Sequence, residues 1–220
     1  SGWRHEKDIS SVGDSALREM GINRIYDAFV RDEAFEGLES KLRGLFSSID
    51  KDKRRDGLGS HEMLHELGLM LDDDDSILKA AANNGTLVFC PGIFDSILGL
   101  QIWIFSQQNE LRVDLRKDLQ KIIDNYYESK KISAMLLGGG VPKNYILQAA
   151  MLTGRALDYA IQITMDRPEP GGLSGASLQE AQSWGKVKPE AEWVDVIADA
   201  TIVFPLIVAA TMERLKEKRK

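Results

Sequence analysis

Ile132-Ser133-Ala134-Met135-Leu136-Leu137-Gly138-Gly139-Gly140-Val141-Pro142-Lys143 decides the fold. A short, mostly apolar run ends in three glycines, and Lys143 to Thr153 then reads as a helix. An apolar run of that length closed by glycine is the pattern of a buried strand. The alternation continues downstream. Asp158 to Thr164 and Trp193 to Ala198 read as strands, and Thr201 to Leu215 as a helix. Upstream, Lys117 to Lys130 reads as an amphipathic helix, Thr86-Leu87-Val88-Phe89-Cys90 before Pro91-Gly92 as a buried strand, and Leu111 to Leu115 as a weaker one. Strands alternating with helices predict an α/β fold, a parallel sheet covered on both faces.

In open parallel sheets, ligands bind beyond the carboxyl ends of the strands. Three stretches fall there: Gly138-Gly139-Gly140, Asp166 to Ala176, and Asp199-Ala200-Thr201. Glycine lets a phosphate reach backbone N–H groups, and a helix start adds a favourable dipole. An aspartate at a strand end can accept from a ribose hydroxyl. These features are generic to nucleotide-binding folds, and a bare triple glycine is also a common tight turn.

Residues 1–85 read as a mostly helical part, and residues 86–220 as the α/β part of the same domain. Residues 1–30 are polar and irregular. Asp32 to Ile49 carries Phe35, Leu38, Leu42 and Phe46 at helical spacing. Lys51 to Gly59 reads as an exposed loop, and Ser60 as the N-cap of a helix to Leu71. The acidic run Asp72 to Asp75 suits the positive end of the helix dipole that follows at Ser76. His61-Glu62-Met63-Leu64-His65 matches H-E-x-x-H, the helical zinc motif. The place of a third histidine in the longer motif holds Leu71, and the remaining histidine, His5, lies upstream. An ordinary amphipathic helix is therefore expected there, and no metal site.

The chain has 220 residues, 43% of them hydrophobic, enough for a sizeable core. Its net charge is -6 and its pI about 5.2, which removes the electrostatic footprint of a nucleic-acid binder. One cysteine, Cys90, excludes an intrachain disulfide and fits a reducing, cytoplasmic setting. The longest apolar run, Thr201 to Thr211, contains Pro205 and falls short of the roughly 20 residues that span a bilayer. No membrane segment and no signal peptide are expected.

Ser174-Gly175-Ala176-Ser177-Leu178-Gln179-Glu180-Ala181-Gln182-Ser183-Trp184-Gly185-Lys186 combines small residues, one acid, one aromatic, and a lysine set off by glycine. Such a set suits a small cation held against an aromatic face, with an amine nearby to react. With Gly138 to Lys143, Asp158-Tyr159-Ala160 and Ala198 to Leu206, in order, it makes the chain resemble the deoxyhypusine synthase family over nearly its whole length. Gly21 to Ile25 and Cys90-Pro91 also resemble family segments. The resemblance implies a three-layer, Rossmann-like fold that binds NAD and assembles as a homotetramer with sites at dimer interfaces. It implies transfer of the butylamine part of spermidine through an imine on an enzyme lysine to a lysine of the hypusine-containing translation factor.

On this resemblance Lys186 is the nucleophile. To attack, its amine must lose its proton, and desolvation beside Trp184 favours that. Trp184 would pack the diamine stem and favour its cation, and Glu180 would hold an amine. Asn144, Gly171, Gly172 and Leu173 complete the expected substrate set. Gly139, Asp95, Met165, Asp166, Ser174, Asp199 and Ala200 form the expected NAD set.

The chain departs from the family in several places. Asn144 stands where the family has a histidine, and asparagine hydrogen-bonds an amine without taking its proton. Pro170-Gly171-Gly172-Leu173 replaces an acidic Asp-Gly-Ser-Asp-type loop, with Glu169 as the nearest substitute. Leu100 stands where an acid is expected. The opening Ser1 to Asp8 resembles the family's acidic glycine-turn segment, with Glu6 matching one acid and Lys7 replacing another. The segment that precedes it in the family is expected from a separate chain or cleavage product, or else the chain does not complete the NAD site alone. Two functions follow as expectations: an NAD-dependent aminobutyl transferase acting on a protein lysine or a small amine, or a catalytically impaired paralogue serving as a structural or regulatory subunit.

Overall fold

The computed structural model describes residues 3–4 and 12–218. The expectations on His5, Glu6 and Lys7 lie outside the described residues. Those residues form β1 (Trp3–Arg4), α1 (Asp14–Glu19), β2 (Ile22–Ile25), β3 (Ala28–Arg31), α2 (Asp32–Ser48), α3 (Lys51–Asp56), α4 (Ser60–Leu69), α5 (Ile77–Asn83), α6 (Ile97–Ser106), α7 (Leu115–Glu128), β4 (Ser133–Leu137), α8 (Val141–Thr153), β5 (Leu157–Thr164), α9 (Leu178–Ser183), β6 (Val187–Ile197) and α10 (Ala200–Glu217). They fall into two compact units. One holds the chain up to Leu58, Glu62–Val88 and Ile93–Val113; the other holds Gly59–His61, Phe89–Gly92 and everything from Asp114.

In the first unit, β1, β3 and β2 form an antiparallel sheet in that order. Ile22 pairs with Arg31 and Ile25 with Ala28 around a two-residue turn, where Tyr26 takes φ 54°. Residues 1–30 were expected to be irregular. Strands of two to four residues are too short to carry a readable period. Leu17, Ile22 and Phe29 form the small core beneath them. Leu42 and Phe46 are the buried face of α2, with Phe46 tilted against Phe105 of α6 at 5.4 Å. Lys51 to Gly59, expected as a loop, contains α3. Asp50 accepts from the Asp52 and Lys53 amides and so starts a helix that its charged sequence conceals.

Two strand expectations are corrected. Thr86 to Cys90 is not a strand; the Cys90 amide donates to Ser60 Oγ at 2.7 Å instead of entering a ladder. Leu111 to Leu115 contributes only an isolated bridge, Val113 with Leu58. The acidic run before α5 is a turn. Ser76 supplies the cap, accepting from the Lys79 amide, while Asp74 pairs with the Lys79 ammonium at 2.7 Å.

The second unit carries the parallel sheet, in the order β4-β5-β6. Ala134, Ala160 and Trp193 share a face by register and pack with Ile122 and Tyr126 of α7, Leu147 and Ala150 of α8, and Leu178 and Ala181 of α9. The opposite face shows Met135, Leu137, Tyr159 and Val194 to the exterior. α8 starts at Gly140, with Pro142 in its first turn, and stops at left-handed Gly154. α10 begins at an Asp199 cap and buries none of its residues. Among the described residues no helix is long and apolar enough to cross a membrane.

Candidate active site

The carboxyl ends of the sheet are tightly pinned. The Gly138 amide donates to Ile163 O at 2.8 Å, which turns the glycine loop across β5. A Cβ on Gly139 would lie 2.5 Å from both Cα and Cβ of Ser174, so only glycine fits that approach. Ser174 donates its hydroxyl to the Asp166 carboxylate. Gly139, Ser174 and Asp166 therefore come together, and Met165, 66% exposed, stands beside them. At the end of β6, Asp199 accepts from the Thr201 hydroxyl at 2.7 Å and its amide at 2.8 Å. Those bonds, the hydroxyl first, hold the Asp199 carboxyl below its ordinary value. Ala200 opens the helix behind it.

A cavity of about 60 Å³ lies at these strand ends, lined among others by Gln162, Thr164, Asp166, Ser177 and Asp195. Gln162 is 2% exposed; its amide nitrogen donates to Ala176 O at 3.1 Å, and its Oε1 has no partner among the described residues. The orphaned Gln162 oxygen and the carboxylates at the strand ends form a donor-seeking set. They fit the hydroxyl-rich sugars of a dinucleotide. Gln162 was missed in the sequence; its signal was a lone amide between Ile161 and Ile163 in an apolar strand.

The lysine segment is shaped by its backbone. Ser177 caps α9 by accepting from the Glu180 amide. Gly185, at φ 67°, ends the helix, and the Lys186 amide reaches back to Ala181 O at 3.0 Å. That six-to-one closure needs the left-handed residue that glycine supplies. Lys186 O accepts from the Leu157 amide, so the lysine sits beside the start of β5, at the amino end of the strands. Its Nζ lies 5.4 Å from the centre of the Trp184 ring. Lys186 is half-buried, Glu180 is exposed, and Trp184 leaves 60% of its surface open. The drying of the amine expected beside Trp184 thus needs a cover beyond the described residues.

The first turn of α8 links these regions. Lys143 is 3% exposed and donates through Nζ to Leu173 O at 3.0 Å and Ala176 O at 2.5 Å. Burial pushes its pKa down, Asp195 and Glu180 pull it up, and Lys186 pushes it down. Asn144, on the same turn, lines a pocket of about 350 Å³ with Asp118, Leu119, Tyr145 and Gln148. Gln148 donates to its side chain at 3.3 Å. The Tyr145 hydroxyl is buried without a partner among the described residues, and burial, then Asp118, pushes its pKa up to about 12. Tyr145 and Gln148 were also missed from sequence. Gly171, at φ 74°, Gly172 and Leu173 form an exposed turn. Asp95 lies in the first unit, in the exposed turn before α6.

The H-E-x-x-H match has a structural explanation. Asp118, 1% exposed, accepts from the Ser60 amide at 2.8 Å and the His61 amide at 2.9 Å, capping α4, and its Oδ1 meets His61 Nδ1 at 2.5 Å. His65, one turn on, is exposed.

Comparison with known proteins adds to this geometry. The family model described as deoxyhypusine synthase matches residues 2–211. A Methanosarcina acetivorans protein named "Probable deoxyhypusine synthase 1" is 48% identical over 217 residues, covering 99% of this chain and 67% of its own length. An Archaeoglobus fulgidus protein of the same name is 44% identical, covering 98% and 69%. The crystal structure of an Entamoeba histolytica protein described by that family name superposes with a TM-score of 0.61 at 25% identity, over 82% of this chain and 56% of that one. The chain thus spans about two thirds of the length of these curated relatives.

Proposed function

The chain belongs to the deoxyhypusine synthase family, and on that premise we propose that it transfers the aminobutyl group of spermidine or a related polyamine through an imine on Lys186. One observation carries the reading. The Gly185 turn presents the Lys186 amine to the face of Trp184, 5.4 Å from the ring centre, with Glu180 on the adjoining helix. That is an amine nucleophile beside an aromatic surface that favours an alkylammonium.

When bound, NAD would take a hydride from the carbon beside the secondary nitrogen of spermidine and return it at the end. Gly139, Asp166, Ser174, Asp199 and Gln162 would hold it, with Met165 and Ala200 alongside. Lys186 attacks the resulting imine carbon; a new C–N bond forms and 1,3-diaminopropane leaves. A lysine of the acceptor translation factor, or a small amine, then displaces Lys186 in the same way. Glu180 steadies the distal ammonium, Trp184 packs the four-carbon stem, and Asn144 hydrogen-bonds the amine end. Gly171, Gly172 and Leu173 border that path. A second copy, within a homotetramer in the cytoplasm, or a separate chain would supply the cover over Trp184.

A second reading has its own support. Leu173 and Leu100 are exposed leucines at positions where the family resemblance expects carboxylates. An impaired paralogue acting as a structural or regulatory subunit fits that loss. One experiment separates the two. The protein is incubated with NAD and spermidine, trapped with borohydride, and mapped by mass spectrometry. An aminobutyl adduct on Lys186, with no trapped adduct at any lysine of Lys186→Ala, supports the transferase. No adduct with spermidine or putrescine, in protein that binds NAD, would leave the subunit reading.

A further inference from the structure

Lys143 spends a buried charge where no carboxylate meets it directly. The residue is 3% exposed, yet the two hydrogen-bond partners of its ammonium are backbone carbonyls, Leu173 O at 3.0 Å and Ala176 O at 2.5 Å. A buried ammonium is costly unless hydrogen-bonded, so an apolar residue would be the simpler choice for packing alone. Both carbonyls lie on the loop that runs directly into Ser177, the cap of α9, and α9 ends at Trp184, Gly185 and Lys186. The other side of the same α8 turn carries Val141 and Asn144, which line the 350 Å³ pocket. The loop has further anchors, Gln162 on Ala176 O and Ser174 on Asp166, but neither reaches α8. Among the described contacts of this loop, Lys143 is the charged tie between the pocket helix and the lysine segment.

We infer that Lys143 is a positioning residue: its ammonium clamps the 173–176 loop to the first turn of α8 and so sets where Glu180, Trp184 and Lys186 stand relative to the Asn144 pocket. The loop needs such a clamp because Gly171 and Gly172 make its upstream half pliable, while its downstream half determines where α9 begins. Asp195 and Glu180 favour the charged form of Lys143, and Lys186 opposes it, so the clamp is electrostatically joined to the groups it orients. The chemical consequence rests on the reading of Lys186 as the nucleophile; the clamp itself does not.

The test compares wild type with Lys143→Met, which keeps the length and removes the charge, and Lys143→Arg, which restores donors. Hydrogen exchange reads the clamp. In Lys143→Met, the amides of Gly175, Ala176 and Leu178 exchange about tenfold faster, the scale of one charged hydrogen bond, while those of β4 do not change. Lys143→Arg recovers at least part of that protection. Reaction with 4-aminobutanal followed by cyanoborohydride reads the consequence without NAD. The adduct on Lys186 forms more slowly in Lys143→Met and recovers in Lys143→Arg, while that on exposed Lys130 is the same in all three. Unchanged exchange in the loop, or acceleration spread equally over β4 and the loop, overturns the clamp. Loop loosening with an unchanged Lys186 rate also overturns the inference, by reducing Lys143 to a stability role. A wild type that forms no Lys186 adduct fails the nucleophile reading instead, and the exchange data still decide the clamp.

Discussion

The loops at the carboxyl ends of the sheet and the lysine segment differ in where their interactions stop. At the carboxyl ends, side chains are already engaged. Asp166 is met by Ser174, Asp199 by Thr201, and Ala176 O by both Gln162 and Lys143. The packing is close enough to require glycine at 139 and at 175, where a Cβ would meet Arg167 O at 2.1 Å. In the lysine segment Leu178 and Ala181 are packed and Gln182 and Ser183 bond back to backbone carbonyls, but the groups proposed to act are open: Glu180 and Trp184 are exposed, and Lys186 Nζ lies over the tryptophan ring. One region is preorganised by the chain itself, as a cofactor cradle needs to be. The other presents reactive groups on a rigid backbone and leaves their surroundings to whatever binds there.

The sharpest way to break that contrast is to put the same methyl group into both kinds of glycine. In Gly139→Ala the new Cβ meets Ser174 backbone, which cannot swing aside, and a loss of about 1–3 kcal/mol is expected. In Gly172→Ala it meets only Ser174 Oγ at 3.9 Å, and the change should stay within about 0.5 kcal/mol. Denaturant midpoints compare the two. Equal losses would mean that the carboxyl-end loops have as much slack as the exposed turn, and the preorganised cradle would be lost from the account. Gly139→Ala should also weaken NAD binding by calorimetry, and Gly172→Ala should not.

Trp184 tests the open side. Its surface is 60% exposed, so Trp184→Ala should change stability by no more than about 0.5 kcal/mol. Its contact with the incoming aldehyde is another matter. The ring face would hold the ammonium end of 4-aminobutanal, and losing that exposed cation–π contact costs about 0.5–1 kcal/mol, which is roughly a two- to fivefold slower trapping of Lys186, with Trp184→Phe in between. A variant that melts well below wild type would show that the segment is packed rather than presented.

What was legible in the sequence follows the same division. β4, α8, β5 and α10 each stand within a few residues of their expected limits. Their apolar periods are complete, and Gly140, Gly154 and Asp199 mark their ends. β6 begins at Val187, ahead of the expected Trp193, because Pro189 and a bulge between Leu157 and Tyr159 of its partner hide the first half. α6 went unread because Ile97 to Phe105 is apolar nearly all round and has no polar face to set a period. The β1-β3-β2 sheet and α3 were unread because short polar elements depend on pairing and caps. In the site, Lys186, Trp184 and Glu180 could be named from one continuous motif. Lys143 and Gln162 could not, since their loop partners lie 14 to 33 positions away and only folding brings them close; Tyr145 and Gln148 gain their meaning from a pocket that Asp118 and Leu119 of α7 complete.

The smallest expected effect concerns acid, and it sets the two ends of the sheet against each other. At the amino end, Asp158 pairs with Lys188 at 2.6 Å and accepts from the Ile132 amide at 2.8 Å, tying β5 to the flanks of β4 and β6 beside Lys186. Lys188 first, then that amide, holds the Asp158 carboxyl below its ordinary 3.8. At the carboxyl end Asp199 is lowered by Thr201. Both are carboxyls whose folded pKa lies below the unfolded one. Their contribution is therefore complete above about pH 4 and is lost as pH falls through the folded value. Asp158→Asn cannot pair with the Lys188 ammonium as a charge, so its stability should lie below wild type at neutral pH and converge with it in acid. Asn is as good a helix cap as Asp, so Asp199→Asn should leave the neutral-pH stability nearly unchanged and mainly flatten the acid limb. Denaturant midpoints measured from pH 7 down to pH 3 read both. If the Asp158→Asn curve ran parallel to wild type throughout, the Lys188 pair would contribute no charge-dependent tie. The amino end beside Lys186 would then be held by backbone pairing and by the buried Leu157 and Val187.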